Sequence, residues 1–175
     1  MSALQSLEKS LDDIFVKQAP ELPAGGKKAL VRYLPWINLV LGLLALYTVY
    51  VVWHWAHLAN SLINYANSLS AAYGGQAVAT SRMGVGIWLG LLVLAVEALL
   101  YIAAFPGTRD RKKSGWNLMF YALLVNVVYG VVIVFTSYGN IGSLISTAIG
   151  SAIGLYLLFQ IRGSYSQAGA TKKAA

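Results

Sequence analysis

The chain contains no cysteine among its 175 residues, which excludes disulfide bonds, thiolate metal ligands and a cysteine nucleophile. Charged residues are also scarce, at 11%. In the membrane topology predicted below, no Ser/His/Asp set, carboxylate pair or acidic metal cluster lies on the same side of the membrane. The sequence thus shows no group of residues that could form a catalytic site. The sequence therefore predicts a protein that is not an enzyme and that needs no cofactor.

The chain is rich instead in long apolar runs. Hydrophobic residues make up 58% of the sequence and the mean hydropathy is +0.63, which is too apolar for an ordinary soluble domain. A bilayer core of about 30 Å takes about 20 apolar residues in a helix. We therefore expect an all-α integral membrane protein, a four-helix bundle within residues 34–161. The four predicted spans are residues 34–56, 83–105, 116–137 and 141–161.

The positions of the cations predict how this bundle is oriented. Lys and Arg precede the first span, separate spans two and three, and follow the fourth, with Arg82 as the exception. This is the positive-inside pattern, so both termini should face the cytoplasm. The net charge of +7 favours contact with anionic lipid headgroups and makes no case for nucleic acid as a partner. The cations expected at the headgroup level are Lys27, Lys28, Arg32, Arg109, Arg111, Lys112 and Lys113.

Four segments lie outside the spans. Residues 1–21 have apolar residues at helical spacing and predict an amphipathic helix on the inner membrane surface. Because four acidic residues outnumber two lysines there, docking beneath the bundle or on a partner protein is equally open. Pro23 and the following glycine pair predict a linker over residues 22–33. Residues 57–82 are predicted to lie outside the membrane. They are expected to begin with a helix that either continues span one or lies along the outer interface, and this helix should end at Gly74–Gly75. Residues 162–175 are predicted to form a flexible basic tail.

Three stretches of the sequence carry a family resemblance: IFVKQAPELP (14–23), FPGTRDRKKSGWNLMFYALL (105–124) and IGLYLLFQIR (153–162). They resemble segments of a family of small, functionally uncharacterised bacterial four-span membrane proteins, in matching order and spacing. The resemblance covers less than half of the chain. It implies the four-span topology and a location in the bacterial inner (cytoplasmic) membrane, and it identifies no functional residues.

Small residues recur four apart on spans two and four. Helices in lipid gain little by hiding apolar surface from water, and close approach of their backbones over small residues supplies much of the attraction. The pattern favours packing of these helices within the chain, and after that a homo-oligomer interface. The residues concerned are Gly86, Gly90, Gly142, Ser146, Gly150 and Gly154.

The run LGLLVLAVEALLYIAAF (89–105) holds one charged side chain, Glu97. At 1.5 Å per residue, Glu97 lies about 12 Å above the inner end of its span, and Asn126 lies about 15 Å above the inner end of span three. Tyr156 on span four falls near the same level. Because burial disfavours a charged carboxyl, we expect a protonated Glu97 that donates a hydrogen bond to Asn126 or to a backbone carbonyl and clamps two helices together. The alternative is a carboxyl that exchanges a proton or a cation, since intramembrane acids often mark ion pathways.

His54 and His57 lie three residues apart, on one helical face near the outer end of span one. Two such histidines could begin a metal or haem site. Only an oligomer could complete that site, because the chain has no other histidine and no cysteine. The neighbouring Trp53 and Trp55 favour an aromatic belt at the headgroup level instead.

These features predict a non-enzymatic membrane scaffold or accessory protein that assembles through the small-residue faces of spans two and four. Its partners would be the lipid bilayer and either a second copy of the chain or another membrane protein. The alternative function is a small oligomeric transporter or channel that couples proton or cation movement through Glu97 with Asn126. A water-accessible cavity that reaches Glu97 would favour this alternative over the scaffold.

Overall fold

The computed structural model describes residues 3–77, 85–134 and 141–166, and within these ranges every regular element is a helix. The all-α class is therefore confirmed. Residues 138–140, which connect the third and fourth predicted spans, and residues 78–82 of the external segment lie outside the described residues. The elements are α1 (Ala3–Asp12), which continues into a π-helical turn (Asp13–Gln18), α2 (Ala24–Ala72), α3 (Val85–Arg109), α4 (Lys113–Val134), α5 (Ile141–Gln160) and α6 (Gly163–Ser166).

Helix α2 joins segments that the sequence analysis separates. It has 49 residues and is therefore about 73 Å long at 1.5 Å per residue. The linker predicted over residues 22–33 is wrong, because the helix begins at Ala24 and takes Gly25 and Gly26 into its first turn. Pro23 precedes this first turn as the N-cap, a position where no intrahelical N–H is needed.

The far end of α2 agrees with the sequence. The helix continues span one without a break to Ala72, and the chain then turns at Gly74, whose φ is +73°. Glycine adopts this left-handed conformation without a steric penalty. The prediction that residues 57–72 continue the helix and that Gly74 ends it is therefore confirmed.

Three of the helices are long and apolar enough to cross a membrane: α2, α4, and α3 from Gly86 onward. They contain the described parts of the first three predicted spans. The described apolar part of α5, Leu144–Gln160, falls below this length. The first three spans thus have helices of spanning length, and the fourth stays a prediction.

Each long helix packs chiefly on the next one in sequence, α2 on α3, α3 on α4 and α4 on α5. A cluster of buried side chains joins all four near one end, which also carries α1 and the α3–α4 turn. We call this the closed end, and we call the opposite end, which carries the first described residues of α3 and the last described residues of α4, the far end. The largest side chains of the cluster are Trp116, Phe120, Phe159, Ile161 and Tyr165.

Two glycines bring α3 and α4 into backbone contact at the closed end. A Cβ atom on Gly115 would lie 2.3 Å from the carbonyl carbon of Gly107 and 2.3 Å from the amide nitrogen of Thr108. A Cβ atom on Gly107 would lie 2.6 Å from the Gly115 Cα. Real Cβ atoms do not come this close to backbone atoms, so the turn requires glycine at both positions.

Helix α1 docks against the closed end rather than standing apart from it. The Arg162 guanidinium donates a hydrogen bond to Asp12 at 2.7 Å and also pairs with Glu8. Leu11 and Phe15 pack against the buried cluster. Of the placements that the sequence leaves open, the structure therefore shows docking beneath the bundle. The acidic excess of this segment is explained in part by a cation of the same chain.

Side chains of α5 also hold the segment that follows α1. The Gln160 amide donates a hydrogen bond to the Phe15 carbonyl oxygen at 2.8 Å and accepts one from the Leu22 N–H at 3.2 Å. The Tyr156 hydroxyl donates a hydrogen bond to the Pro20 carbonyl oxygen at 2.8 Å. These bonds fix the short connection between the π-helical turn and α2, because they satisfy backbone groups that no helix pairs.

The tail predicted to be flexible from residue 162 is ordered in its first part. Arg162 stacks over the Trp116 ring, 5.4 Å from its centroid, in addition to its ion pairs. Tyr165 in α6 is 1% exposed, and burial raises the pKa of its hydroxyl to about 12. The prediction of flexibility is wrong for residues 162–166, because the buried cluster extends past α5. Residues 167–175 lie outside the described part of the chain.

Candidate functional site: a cleft that ends on Glu97

A cleft lies between α2, α3 and α4, in the half of the bundle nearer the far end. Its volume is about 420 Å³. Along α3 it extends from Gly86 to Glu97, a distance of about 16 Å at 1.5 Å per residue. On α4 it extends from Ile133 inward to Asn126, and Val52 lines it from α2. The cleft therefore reaches about halfway along α3 and stops above the buried cluster of the closed end.

Glu97 lies at the inner limit of this cleft. Its side chain is only 8% exposed, and it shares a hydrogen bond with the Asn126 side chain on α4. Its Oε1 atom is buried and has no hydrogen-bond partner among the described residues. No Lys, Arg or His occurs among the described residues that line the cleft. The site thus presents a carboxyl oxygen, shielded from solvent, that can still accept a proton or a cation.

The structure brings two of the three predicted polar residues together. Glu97 and Asn126 are neighbours, as their similar depths predict, and the Ser151 hydroxyl on α5 lies 3.4 Å from the Asn126 Oδ1. Tyr156 is not part of this group, and its placement in the polar centre is wrong. Its hydroxyl bonds to Pro20 at the closed end, because the N-terminal segment folds against α5 and offers a carbonyl oxygen there.

A second groove between α3 and α4 differs from the cleft in the polarity of its lining. This groove has a volume of about 350 Å³, and its lining is almost wholly apolar, with Leu89, Val128 and Val132 among its residues. Val132 and Ile133 are adjacent in sequence, yet one lines this groove and the other lines the cleft. The α3–α4 pair therefore has one face suited to lipid and one face that carries a carboxyl and an amide.

The predicted small residues of α3 form part of the cleft wall. Gly86 and Gly90 both line it. A Cβ atom on Gly90 would lie 2.7 Å from the Tyr129 hydroxyl oxygen, so this glycine makes room for the phenol. Gly42 on α2 plays a similar part, since its Cβ atom would lie 2.7 Å from the Ile102 side chain. The sequence analysis did not single out Gly42, because it has no small neighbour four residues away.

The small residues of α5 are divided between two faces. A Cβ atom on Gly154 would lie 2.9 Å from the Leu123 side chain, so this glycine packs on α4 as predicted. Gly142, Ser146 and Gly150 are exposed, and a Cβ atom on Gly150 would meet nothing within 4 Å. Packing of these three within the chain is therefore wrong, because α5 turns its other face, with Ser151 and Leu155, toward α4.

The two histidines belong to an aromatic group rather than to one shared site. His54 stacks on Tyr50 with ring centroids 6.2 Å apart, and His57 packs edge-on against Trp53 at 4.7 Å. Trp88 of α3 also approaches His57, at 6.2 Å. No group of three His, Cys, Asp or Glu side chains suited to a metal occurs among the described residues. The geometry thus supports the aromatic contacts and adds no ligand to the histidine pair.

The cations predicted at the headgroup level are grouped at the closed end. Five of the seven line a single cavity, which is described below: Lys27, Lys28, Arg32, Arg109 and Arg111. Lys112 pairs instead with Asp110 at 2.7 Å. Lys113 lines another cavity, of about 470 Å³, next to Asp12 and Arg162.

Asn38 and Gln160 are among the buried polar residues that the sequence analysis did not single out. Asn38 on α2 is 2% exposed, and its amide lies 3.0 Å from the Met119 sulfur. Gln160 is 6% exposed and bonds to the N-terminal segment. Both are polar residues within apolar runs, as Glu97 is, and this signal could have identified them. No family model, no curated protein and no solved structure matches the chain, so the resemblance to small bacterial four-span proteins stays a prediction.

Proposed function

We propose that the chain is a four-span protein of the bacterial inner membrane and acts as a small transporter that binds a proton or a small cation at Glu97. In this proposal the closed end and both termini face the cytoplasm, as the distribution of Lys and Arg favours. The far end then faces the outside. The cleft that extends along α3 from Gly86 to Glu97 is the observation that carries the proposal.

The chemistry of the cleft suits such a ligand. A charged carboxylate at the centre of a membrane helix costs about 2.5–3.5 kcal/mol on insertion scales, so Glu97 is more stable with a bound proton or cation. Glu97, Asn126 and Tyr129, whose side chains carry oxygen atoms, are among the residues that line the cleft, and small hard cations prefer oxygen ligands. The unpartnered Glu97 Oε1 provides the acceptor that exchange requires.

Cysteine accessibility tests whether the cleft holds water. The chain has no cysteine, so single substitutions report without interference. Leu94 lines the cleft, whereas Leu92 is 61% exposed on the outside of the bundle. In membrane vesicles we expect a membrane-impermeant maleimide added at the outer side to label Leu94→Cys at least about tenfold faster than Leu92→Cys, because lipid covers Leu92 and thiolates form in water.

The comparison between these two variants is matched for helix and for depth. As a control, the two variants should be labelled at equal rates after solubilisation in detergent, which shows that both thiols can react with the maleimide. Failure to label Leu94→Cys in vesicles, despite labelling in detergent, would mean that hydrocarbon fills the cleft, and the transport proposal would be wrong.

Assembly through α5 is the second candidate function, and the exposed face of that helix favours it. Gly142, Ser146 and Gly150 are exposed on this face, and Ile145, Ile149 and Ile153 are each more than half exposed beside them. We propose a second copy of the chain as the occupant. A stripe of small residues repeated along one helix is self-complementary, so the same face can serve both partners of a two-fold dimer.

Substitution of Gly150 by Leu separates assembly from folding. Because a Cβ at Gly150 meets nothing within 4 Å, we expect Gly150→Leu to keep the unfolding midpoint of the wild type and to lose the dimer. Gly154→Leu should lower that midpoint, since Leu123 lies 2.9 Å from its Cβ position. Chemical crosslinking in lipid bilayers measures the dimer. Unchanged crosslinking of Gly150→Leu would exclude this face as the interface.

A further inference from the structure

A cavity at the closed end gathers cations from two distant parts of the chain. Its volume is about 600 Å³, and it lies between α2, the α3–α4 turn and α6. We call it the basic cavity. Lys27, Lys28 and Arg32 line it from α2, Arg109 lines it from the end of α3, and Arg111 lines it from the α3–α4 turn, residues 110–112.

The charge of the basic cavity is strongly one-sided. Its described lining has five cations and no carboxylate. Glu21 pairs with one of them, Lys27, which leaves four of the five. Like charges held together in a partly enclosed space repel one another, and a bound anion relieves this repulsion. Lys28 and Arg32 lie one helical turn apart on α2, and they line the same cavity as Arg109 and Arg111.

Arg111 occupies a backbone conformation that arginine rarely adopts. Its φ is +54°, in the left-handed region, where a residue with a side chain is less stable than glycine. The turn that holds it there is fixed by the Gly107–Gly115 contact. Backbone strain of this kind concentrates at functional sites, and here it accompanies a guanidinium that lines the basic cavity.

Apolar side chains adjoin the cations in the way that a lipid requires. Val31, Pro35 and Trp36 complete the α2 side of the basic cavity. Trp36 is 56% exposed, with its ring packed on Phe105 at 5.4 Å. Tryptophan favours the headgroup level of a membrane. The basic cavity thus combines charge for a phosphate with apolar surface for the first part of an acyl chain.

We propose that the basic cavity binds the headgroup of an anionic phospholipid of the inner leaflet. The phosphate contacts the cations of α2 and of the α3–α4 turn together, and the lipid joins these two elements. Basic pockets between spanning helices on the cytoplasmic side are suited to such lipids. This site lies at the closed end of the bundle, whereas the cleft lies nearer the far end, and it depends only on membrane insertion and not on ion exchange at Glu97.

Native mass spectrometry of the full chain in detergent tests the proposal, with phosphatidylglycerol, phosphatidylcholine and inorganic phosphate as probes. We expect one phosphatidylglycerol to remain bound, and neither phosphatidylcholine nor inorganic phosphate to compete for its place. Arg32→Gln with Arg109→Gln should weaken this binding about thirty-fold, since each cation near an anionic surface contributes about a factor of five. Lys9→Gln with Lys17→Gln removes the same charge outside the basic cavity and should leave binding unchanged.

Three results would overturn the proposal. An equal loss in both double variants would mean diffuse attraction by net charge. Equal retention of phosphatidylcholine would mean that binding does not depend on the net charge of the headgroup. Displacement of phosphatidylglycerol by inorganic phosphate would mean that the basic cavity binds a soluble anion instead of a lipid. Should the Gln double variant fail to fold, Arg32→Lys with Arg109→Lys keeps the charge and loses the bidentate geometry. A severalfold loss of phosphatidylglycerol binding is expected for this pair, and wild-type binding would count against the proposal.

Discussion

The Glu97→Gln variant is expected to lose proton- or cation-coupled flux in proteoliposomes by at least about tenfold while folding normally. Glutamine is nearly isosteric and can still hydrogen-bond to Asn126, so its effect on the free energy of unfolding should stay below about 1 kcal/mol. It cannot release a proton or neutralise a cation, and the free Oε1 of Glu97 is the group through which the proposed exchange takes place. A pH-sensitive dye inside the vesicles measures the flux, with Na⁺ and K⁺ gradients as separate probes.

Two further variants at this position make the result decisive. Glu97→Asp keeps a titratable group and should retain part of the flux. Glu97→Leu leaves the Asn126 side chain without its partner, which costs about 1–3 kcal/mol. If Glu97→Gln shows the same flux as the wild type, or if the wild type shows none with any of the three ions, Glu97 is a structural clamp between α3 and α4. The scaffold prediction would then be the better account.

The Gly115→Ala variant is expected to be the most destabilising single-methyl change in the described part of the bundle. Its Cβ would lie 2.3 Å from backbone atoms of Gly107 and Thr108, and no side-chain rotation relieves a contact between backbones. The helices would have to separate by more than about 1 Å where Trp116 and Phe120 begin the buried cluster. Overpacking of this severity costs about 3 kcal/mol or more. Thermal unfolding in detergent measures the loss.

Gly163→Ala is the matched control, since a Cβ at Gly163 meets nothing within 4 Å. We expect its unfolding midpoint to stay within about 2 °C of the wild type, because surface substitutions change stability by about 0.5 kcal/mol or less. Equal unfolding midpoints for Gly115→Ala and the wild type would show that α3 and α4 can separate at Gly107 and Gly115 without loss of stability, and the requirement for glycine there would be wrong.

The apolar runs predicted the long helices because spanning length follows from bilayer thickness and helical rise. The same rise located Glu97 and Asn126 at one depth, and they are neighbours. Counting along single helices could not show that α5 packs on α4 through Ser151 and leaves Gly150 outside. That choice depends on which face each helix turns to its neighbour, and small residues on both faces of α5 made the two orientations equally plausible.

Contacts between segments far apart in the chain could not be predicted from the sequence. Tyr156 bonds to Pro20 and not to the polar centre, because a segment 136 positions earlier folds back to meet it. The linker over residues 22–33 was mistaken for a related reason. Pro23 and its glycine pair disfavour a helix locally, but packing of Val31 and Leu34 on the buried cluster outweighs that preference.

The pairing of Asp12 with Arg162 spans 150 positions, and this separation has a consequence for biosynthesis. Chains grow from the N-terminus, so α1 emerges long before its cation exists, and α2, α3, α4 and α5 must all be made in the interval. Docking of α1 is therefore a late event that can follow only the synthesis of α5. During that interval Asp12 lacks Arg162, and Phe15 of the π-helical turn lacks Phe159, whose ring centroid lies 6.2 Å from its own. The contact between α1 and Arg162 can therefore form only in a chain whose synthesis has passed the end of α5.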